Sequence, residues 1–148
     1  MSDIALFYDP KRGSADVTVA SGDLASDLGF ETAVMLSLFT DRRADDTRGW
    51  WGDSVASVAG DLHGSRLWLL SREKDQPRVL RQAEEYTREA LAWMVEDQVA
   101  ARIDVVAESV PAASQSELLL SVVIQRPDGT SASYRYAYNW ESQAARRA

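Results

Sequence analysis

The sequence predicts an α+β domain: a small antiparallel sheet, made of a C-terminal hairpin and a preceding strand, packed against a long amphipathic helix. Three observations carry this. From Pro77 onward, Val79, Leu80, Ala83, Tyr86, Ala90, Leu91, Trp93 and Met94 share one broad face at about 100° per residue, and Arg81, Glu84, Glu85, Arg88 and Glu89 take the other. Residues 118–124 are apolar and rich in β-branched side chains, and beyond the Pro127-Asp128-Gly129 turn Tyr134, Tyr136 and Tyr138 alternate with Ser133, Arg135 and Ala137. Residues 101–107, with Ile103, Val105 and Val106, supply the preceding strand, and such a sheet hides its apolar face under the helix. The chain has 148 residues and is 45% apolar, which suits a single domain over 1–148 with about 141–148 as a frayed or helical, flexible tail.

The elements follow in order. Residues 4–8 are apolar, Asp9, Pro10 and Gly13 supply turn chemistry, and 16–19 alternate, so 4–20 reads as a loose N-terminal hairpin. Residues 33–39 are apolar on almost every side and read as a short buried helix, with Asp27 upstream as its N-cap. Residues 53–62 are small and polar, with Val55 and Val58 as helix anchors, until His63-Gly64-Ser65 breaks the pattern. Leu67-Trp68-Leu69-Leu70 fits a short strand or an apolar loop on the core, and both stay open. Pro77 suits a first helical turn, where its missing N–H is not needed. Glu84 and Arg88 form an i,i+4 pair worth about 0.3–0.5 kcal/mol if exposed. The helix is expected to end at Glu96 or Asp97, and 109–116, with Pro111, to form a loop.

The stretch 40–53 stands apart. Charges of both signs run from Asp41 to Arg48 and give way to Trp50 and Trp51, held between Gly49 and Gly52. Charge keeps a segment in water, whereas an indole carries a large apolar area and an N–H that wants a partner. The tryptophans therefore either plug the core or anchor a partner, and Arg with Trp is a usual composition for the second role. Trp68 and Trp93 lie inside apolar segments and read as core, so losing Trp93 should cost about 3–5 kcal/mol. Trp140 and the three tyrosines either coat a sheet face that meets a neighbour or form an ordinary strand surface, which favours tyrosine.

Composition excludes several functions. The net charge is −7, and basic residues cluster only in short pairs such as Arg42-Arg43 and Arg146-Arg147, so nucleic acid is not the expected partner. No apolar run is long enough for a membrane-spanning helix, and the first ten residues lack the basic start and apolar stretch of a signal peptide. Cysteine is absent, and with it disulfides, thiolate nucleophiles and thiolate metal sites. His63 is the only histidine, and no Gly-x-Ser-x-Gly elbow places a serine for it. Asp41, Asp45 and Asp46 fail the calcium-loop spacing, because Arg43 and Asp46 stand where a ligand and a glycine belong. No Gly-x-x-x-x-Gly-Lys cradle for phosphate occurs. Asp53, Glu96 and Asp97 are the carboxylates to test for glycoside hydrolysis, against the plainer reading of a solvated acidic surface. The expectation is no enzyme, no cofactor and no metal.

Asp41-Arg42-Arg43-Ala44 followed by Arg48-Gly49-Trp50-Trp51-Gly52-Asp53 resembles the signature of a tail protein of Mu-like phages and prophages, a baseplate family of contractile tails. Residues 65–70 and 89–97 are similar to further family segments, as is the order of elements from about 23 to 138. The resemblance implies a virion protein of the tail baseplate, made in the bacterial host cytoplasm. It implies a wedge subunit that links the hub and spike region to the sheath without catalysis. Its partners would be other wedge and hub or spike proteins and the tail sheath, with no nucleic acid and no membrane. It would be present in multiple copies in the assembly and monomeric when isolated. The interface candidates are Asp41, Arg42, Arg43, Arg48, Trp50, Trp51, Asp53 and Trp140. Exposed strand edges are a further means of joining a neighbour's sheet. A tail-associated peptidoglycan hydrolase and a small regulatory adaptor of the host are the alternatives.

Overall fold

The computed structural model describes residues 3–9, 14–27, 30–44, 48–72, 77–111, 116–139 and 144–147. Six short strands open the chain: β1 (Asp3–Ile4), β2 (Leu6–Asp9), β3 (Ser14–Val17), β4 (Val19–Ala20), β5 (Asp23–Leu24) and β6 (Ser26–Asp27). They pair antiparallel as β1 with β6, β2 with β3 and β4 with β5. The expected hairpin is thus present as β2–β3, with two more ladders around it; its turn at 10–13 lies outside the described residues. The three ladders meet at a closed triangle of main-chain bonds. Ala5 N–H donates to Ala25 O (2.8 Å), Ala25 N–H to Thr18 O (2.8 Å) and Thr18 N–H to Ala5 O (3.0 Å). Residues that fall between ladders satisfy one another, as backbone groups must.

Helix α1 (Glu31–Phe39) buries Thr32, Val34, Ser37 and Leu38 and leaves Leu36 exposed. Asp27 does not cap it. Asp27 lies in β6, Phe30 holds the cap position, and no side chain bonds there from the cap residue. The Tyr134 hydroxyl, distant in sequence, accepts the Phe30 N–H at 3.2 Å instead. Residues 53–62 do not form a helix: a single 3-10 turn spans Trp51–Ser54, and Val55 and Val58 are exposed. Leu67–Arg72 is neither strand nor loop but a second 3-10 helix. Its three-residue period puts Leu67 and Leu70 on one side, where both are buried, and leaves Leu69 exposed.

Helix α2 (Pro77–Glu96) keeps its expected start and end. Its inward face is Val79, Ala83, Thr87, Ala90, Leu91 and Met94. One residue joins the expected face and one leaves it. Thr87 is fully buried, and Trp93, read as core, is 37% exposed on the flank of the stripe, where its indole N–H donates to Ser37 Oγ at 3.1 Å. The exit runs through Gln98, with a φ of 59°, and Ala100 N–H closes it on Met94 O at 2.8 Å.

Strands β7 (Arg102–Val110), β8 (Glu117–Gln125), β9 (Ser131–Asn139) and β10 (Ala144–Arg147) form one antiparallel sheet in the order β10-β9-β8-β7. Within the stretch read as a frayed or helical tail, 144–147 form the last strand and pair with 136–139. Residues 140–143 and 148, Trp140 among them, lie outside the described residues. The tyrosine ladder does not coat an outer surface. Tyr134, Tyr136 and Tyr138 are buried and face the helices. Tyr136 packs in one cluster with Val34, Leu38, Leu91 and Met94 from the helices and Val122 and Ile124 from β8. Tyr138 joins a second with Leu67, Leu70, Val79, Ala83, Leu118 and Leu120. Phe39 ties the two clusters, edge-on to Tyr136 (5.3 Å) and stacked on Tyr138 (6.1 Å).

Helix α2 also closes part of the β7 edge. Glu84 accepts the Ala107 N–H at 3.1 Å, and Arg88 donates to Val105 O at 2.9 Å while pairing with Glu84. Those groups are therefore not open to a neighbour's strand, and the expectation of exposed edges does not hold at this point.

Candidate functional site

The charged loop is stitched to the fold by its backbone. Ser65 N–H donates to Thr40 O and Arg42 N–H to Ser65 O, both at 2.9 Å, and on the other side Trp50 N–H donates to Asp41 O at 2.9 Å. Gly64 sits where this seam is tightest: its φ is +95°, and a Cβ there would stand 2.3 Å from Thr40 O. Ser65 Oγ, buried, bonds Leu38 O and takes the Leu67 N–H, so the end of α1 and the start of the second 3-10 helix share one hydroxyl.

Asp41, Arg42 and Arg48 find their partners within the chain. Asp41 grips Arg48 in an ion pair, and the Arg48 guanidinium lies over the Trp68 ring at 5.0 Å. Trp68 donates its indole N–H to Arg42 O at 3.0 Å. Glu89 on α2 holds Arg66 at 2.8 Å and Arg42 at 3.7 Å, and Arg66 also covers the Tyr86 ring at 4.4 Å. Exposed ion pairs taken singly contribute little, but here each arginine also has an aromatic face or a seam to brace. Arg43 is half-buried within the loop.

The brace presents the tryptophans. The Trp50 ring folds back over Gly52 so closely that a Cβ on Gly52 would meet it at 2.3 Å. The same ring touches the His63 imidazole edge-on (5.4 Å) and Trp51 at a tilt (5.6 Å). Asp53 accepts the His63 main-chain N–H at 3.1 Å, which ties the turn after the tryptophans to the turn before the second 3-10 helix. The imidazole thus props Trp50. Trp50 remains 41% exposed and Trp51 72% exposed, the most open indole among the described residues.

Among the sequence candidates, Asp41, Arg42, Arg48, Trp50, Trp51 and Asp53 therefore gather in one braced loop, with Arg43 beside them, while Trp140 lies outside the described residues. The three carboxylates considered for hydrolysis do not converge in the recesses that border the loop. Glu96 lines one of them, and Asp53 and Asp97 line neither. Sequence reasoning missed Leu36, Val55 and Asp61 as neighbours of Trp50. Leu36 gave no signal, because residues 33–39 are apolar on almost every side.

Fold and loop together define a small α+β domain that displays an aromatic pair on a turn braced by main-chain bonds. A family model described as Phage protein GP46 matches residues 30–131, from the start of α1 into β9, and the chain belongs to that family. The Mu-like prophage FluMu protein gp46 of Haemophilus influenzae is 39% identical over 140 residues, covering 95% of this chain and 98% of the relative. The baseplate protein gp46 of Escherichia phage Mu is 38% identical over 146 residues, covering 92% of this chain and 95% of the relative.

Proposed function

We propose that this chain is a structural subunit of a phage tail baseplate, a wedge component that joins the hub and spike region to the sheath of a contractile tail through protein contacts, without catalysis. Its place would be the virion, and its partners other baseplate proteins. Two things support the reading: a relative that matches nearly end to end carries the name of a baseplate protein, and Trp51 stands 72% exposed on a loop that the fold spends several ion pairs and a buried serine to hold. A water-exposed indole on a rigid turn is a preorganised anchor, since little freedom remains to be lost on binding. Asp41, Arg42, Arg43 and Arg48 act by positioning it, and Asp53 by fixing the turn behind it.

The test is a reconstruction of purified tails from a phage carrying this gene, alongside a deletion. The chain should appear at the baseplate, with Trp51 buried against another tail protein. Complete tails assembled without the chain, or lysis of purified peptidoglycan by the isolated protein, would overturn the proposal.

A further inference from the structure

Two recesses open on either side of residues 60–64, and Asp61 and His63 line both. The first is walled by Leu36, Trp50 and Val55, each exposed, with Trp51 and Val58 exposed nearby in sequence. Large apolar side chains grouped on a surface mark a contact site where scattered ones do not. The second recess is polar and acidic. Its charged walls are Arg42 against Asp61, Glu89 and Glu96, and Trp93 stands among them. Glu89 is already answered by Arg42 and Arg66. Asp61 and Glu96 are exposed and have no basic partner among the described residues.

We infer that the two recesses form one docking surface for a segment of a partner protein that carries a bulky apolar side chain next to a lysine or arginine. The apolar side chain enters between Leu36, Trp50 and Val55. The cation lies against Asp61 and Glu96, with the Trp93 ring as its aromatic wall. Charge complementarity selects this occupant. An acidic or wholly apolar segment would cover both carboxylates without answering them, which is costly, and a second copy of a chain with net charge −7 meets general repulsion. The surface deepens the baseplate reading, and rests on it for the partner's being another tail protein.

The probes are two capped octapeptides that differ at one position, one with leucine beside arginine and one with leucine beside glutamate. Each is titrated into the full chain labelled with nitrogen-15, reading the indole N–H signals of Trp50, Trp51 and Trp93. The arginine peptide should bind about tenfold tighter and shift the Trp50 and Trp93 signals, and salt should weaken that preference. In the double variant Asp61→Asn/Glu96→Gln the preference should shrink to about twofold or less. Equal binding of the two peptides, binding of neither, or a preference that survives the double variant overturns the inference. The tail reconstruction reads the baseplate proposal separately, so either can fail alone.

Discussion

Replacing Trp51 by alanine should separate folding from assembly. A tryptophan side chain offers about 250 Å² at most, so an indole that is 72% exposed has roughly 70 Å² covered in the free chain. At about 25 cal/mol per Å² the folding cost is capped near 1.8 kcal/mol, and a compact unfolded state lowers it to about 1 kcal/mol. The open remainder, roughly 180 Å², sets a ceiling of about 4.5 kcal/mol on what a partner gains by covering it. Central tryptophans in interfaces commonly cost about 2–4 kcal/mol on truncation, and the lower figure already weakens binding about 30-fold. A urea melt of the isolated variant should therefore shift by about 1 kcal/mol or less, with an unchanged slope. The same variant, supplied to a phage lacking the gene, should be strongly depleted from purified tails. A loss of stability above about 2 kcal/mol would mean that Trp51 serves the fold, and wild-type incorporation would mean that no partner covers it.

Three further outcomes follow from particular contacts. Gly64→Ala forces a Cβ to within 2.3 Å of Thr40 O at a φ of +95°, so it should destabilise by about 1–3 kcal/mol and change Trp68 fluorescence as the seam opens. Thr87 is fully buried and its hydroxyl finds no partner among the described residues, so Thr87→Val should stabilise by about 1 kcal/mol in the same melt. The Asp128 carboxyl is held below its ordinary 3.8, first by the Thr130 hydroxyl, then by the Thr130 N–H, with Arg126 adding a smaller pull. A carboxyl lowered on folding contributes stability that is fully present above its ordinary value and is lost as pH falls through the lowered one. Asp128→Asn should therefore flatten the acid side of the stability profile, measured from about pH 5 down to about pH 2.

The strongest periodicities were legible. Pro77 and the stripe from Val79 to Met94 gave α2 nearly to the residue, and the turn at 127–129 gave the β8–β9 hairpin. What the sequence hid has physical causes. The tyrosines alternate on β9, and alternation shows that one set faces inward without saying which; their size and the Phe39 contacts decide it. Leu67 and Leu70 are three apart, a spacing shared by helix and by short irregular segments, so only packing settles the 3-10 turn. Trp93 sits at the edge of the α2 stripe, and its N–H reaches Ser37, so a half-open position holds it well. Thr87 has the stripe's own spacing, four residues after Ala83 and four before Leu91, and only its polarity disguised that it is buried. In the candidate site, the residue types were readable, but the roles of the charges were not. Asp41 meets Arg48, and Arg42 meets Glu89 from a distant helix, only once the chain has folded.

Glu84 and Arg88 lie on the side of α2 that a helical wheel would leave to solvent, yet both are bonded to the main chain of β7. Proteins crowded at high local concentration risk fusing strand to strand along any unfinished border. Here one flank carries its own lock. A stranger's strand could add beside Val105 and Ala107 only after two side chains had been prised away and left with charges to resolvate. Polymerisation through that flank thus meets a barrier that crowding alone does not lower.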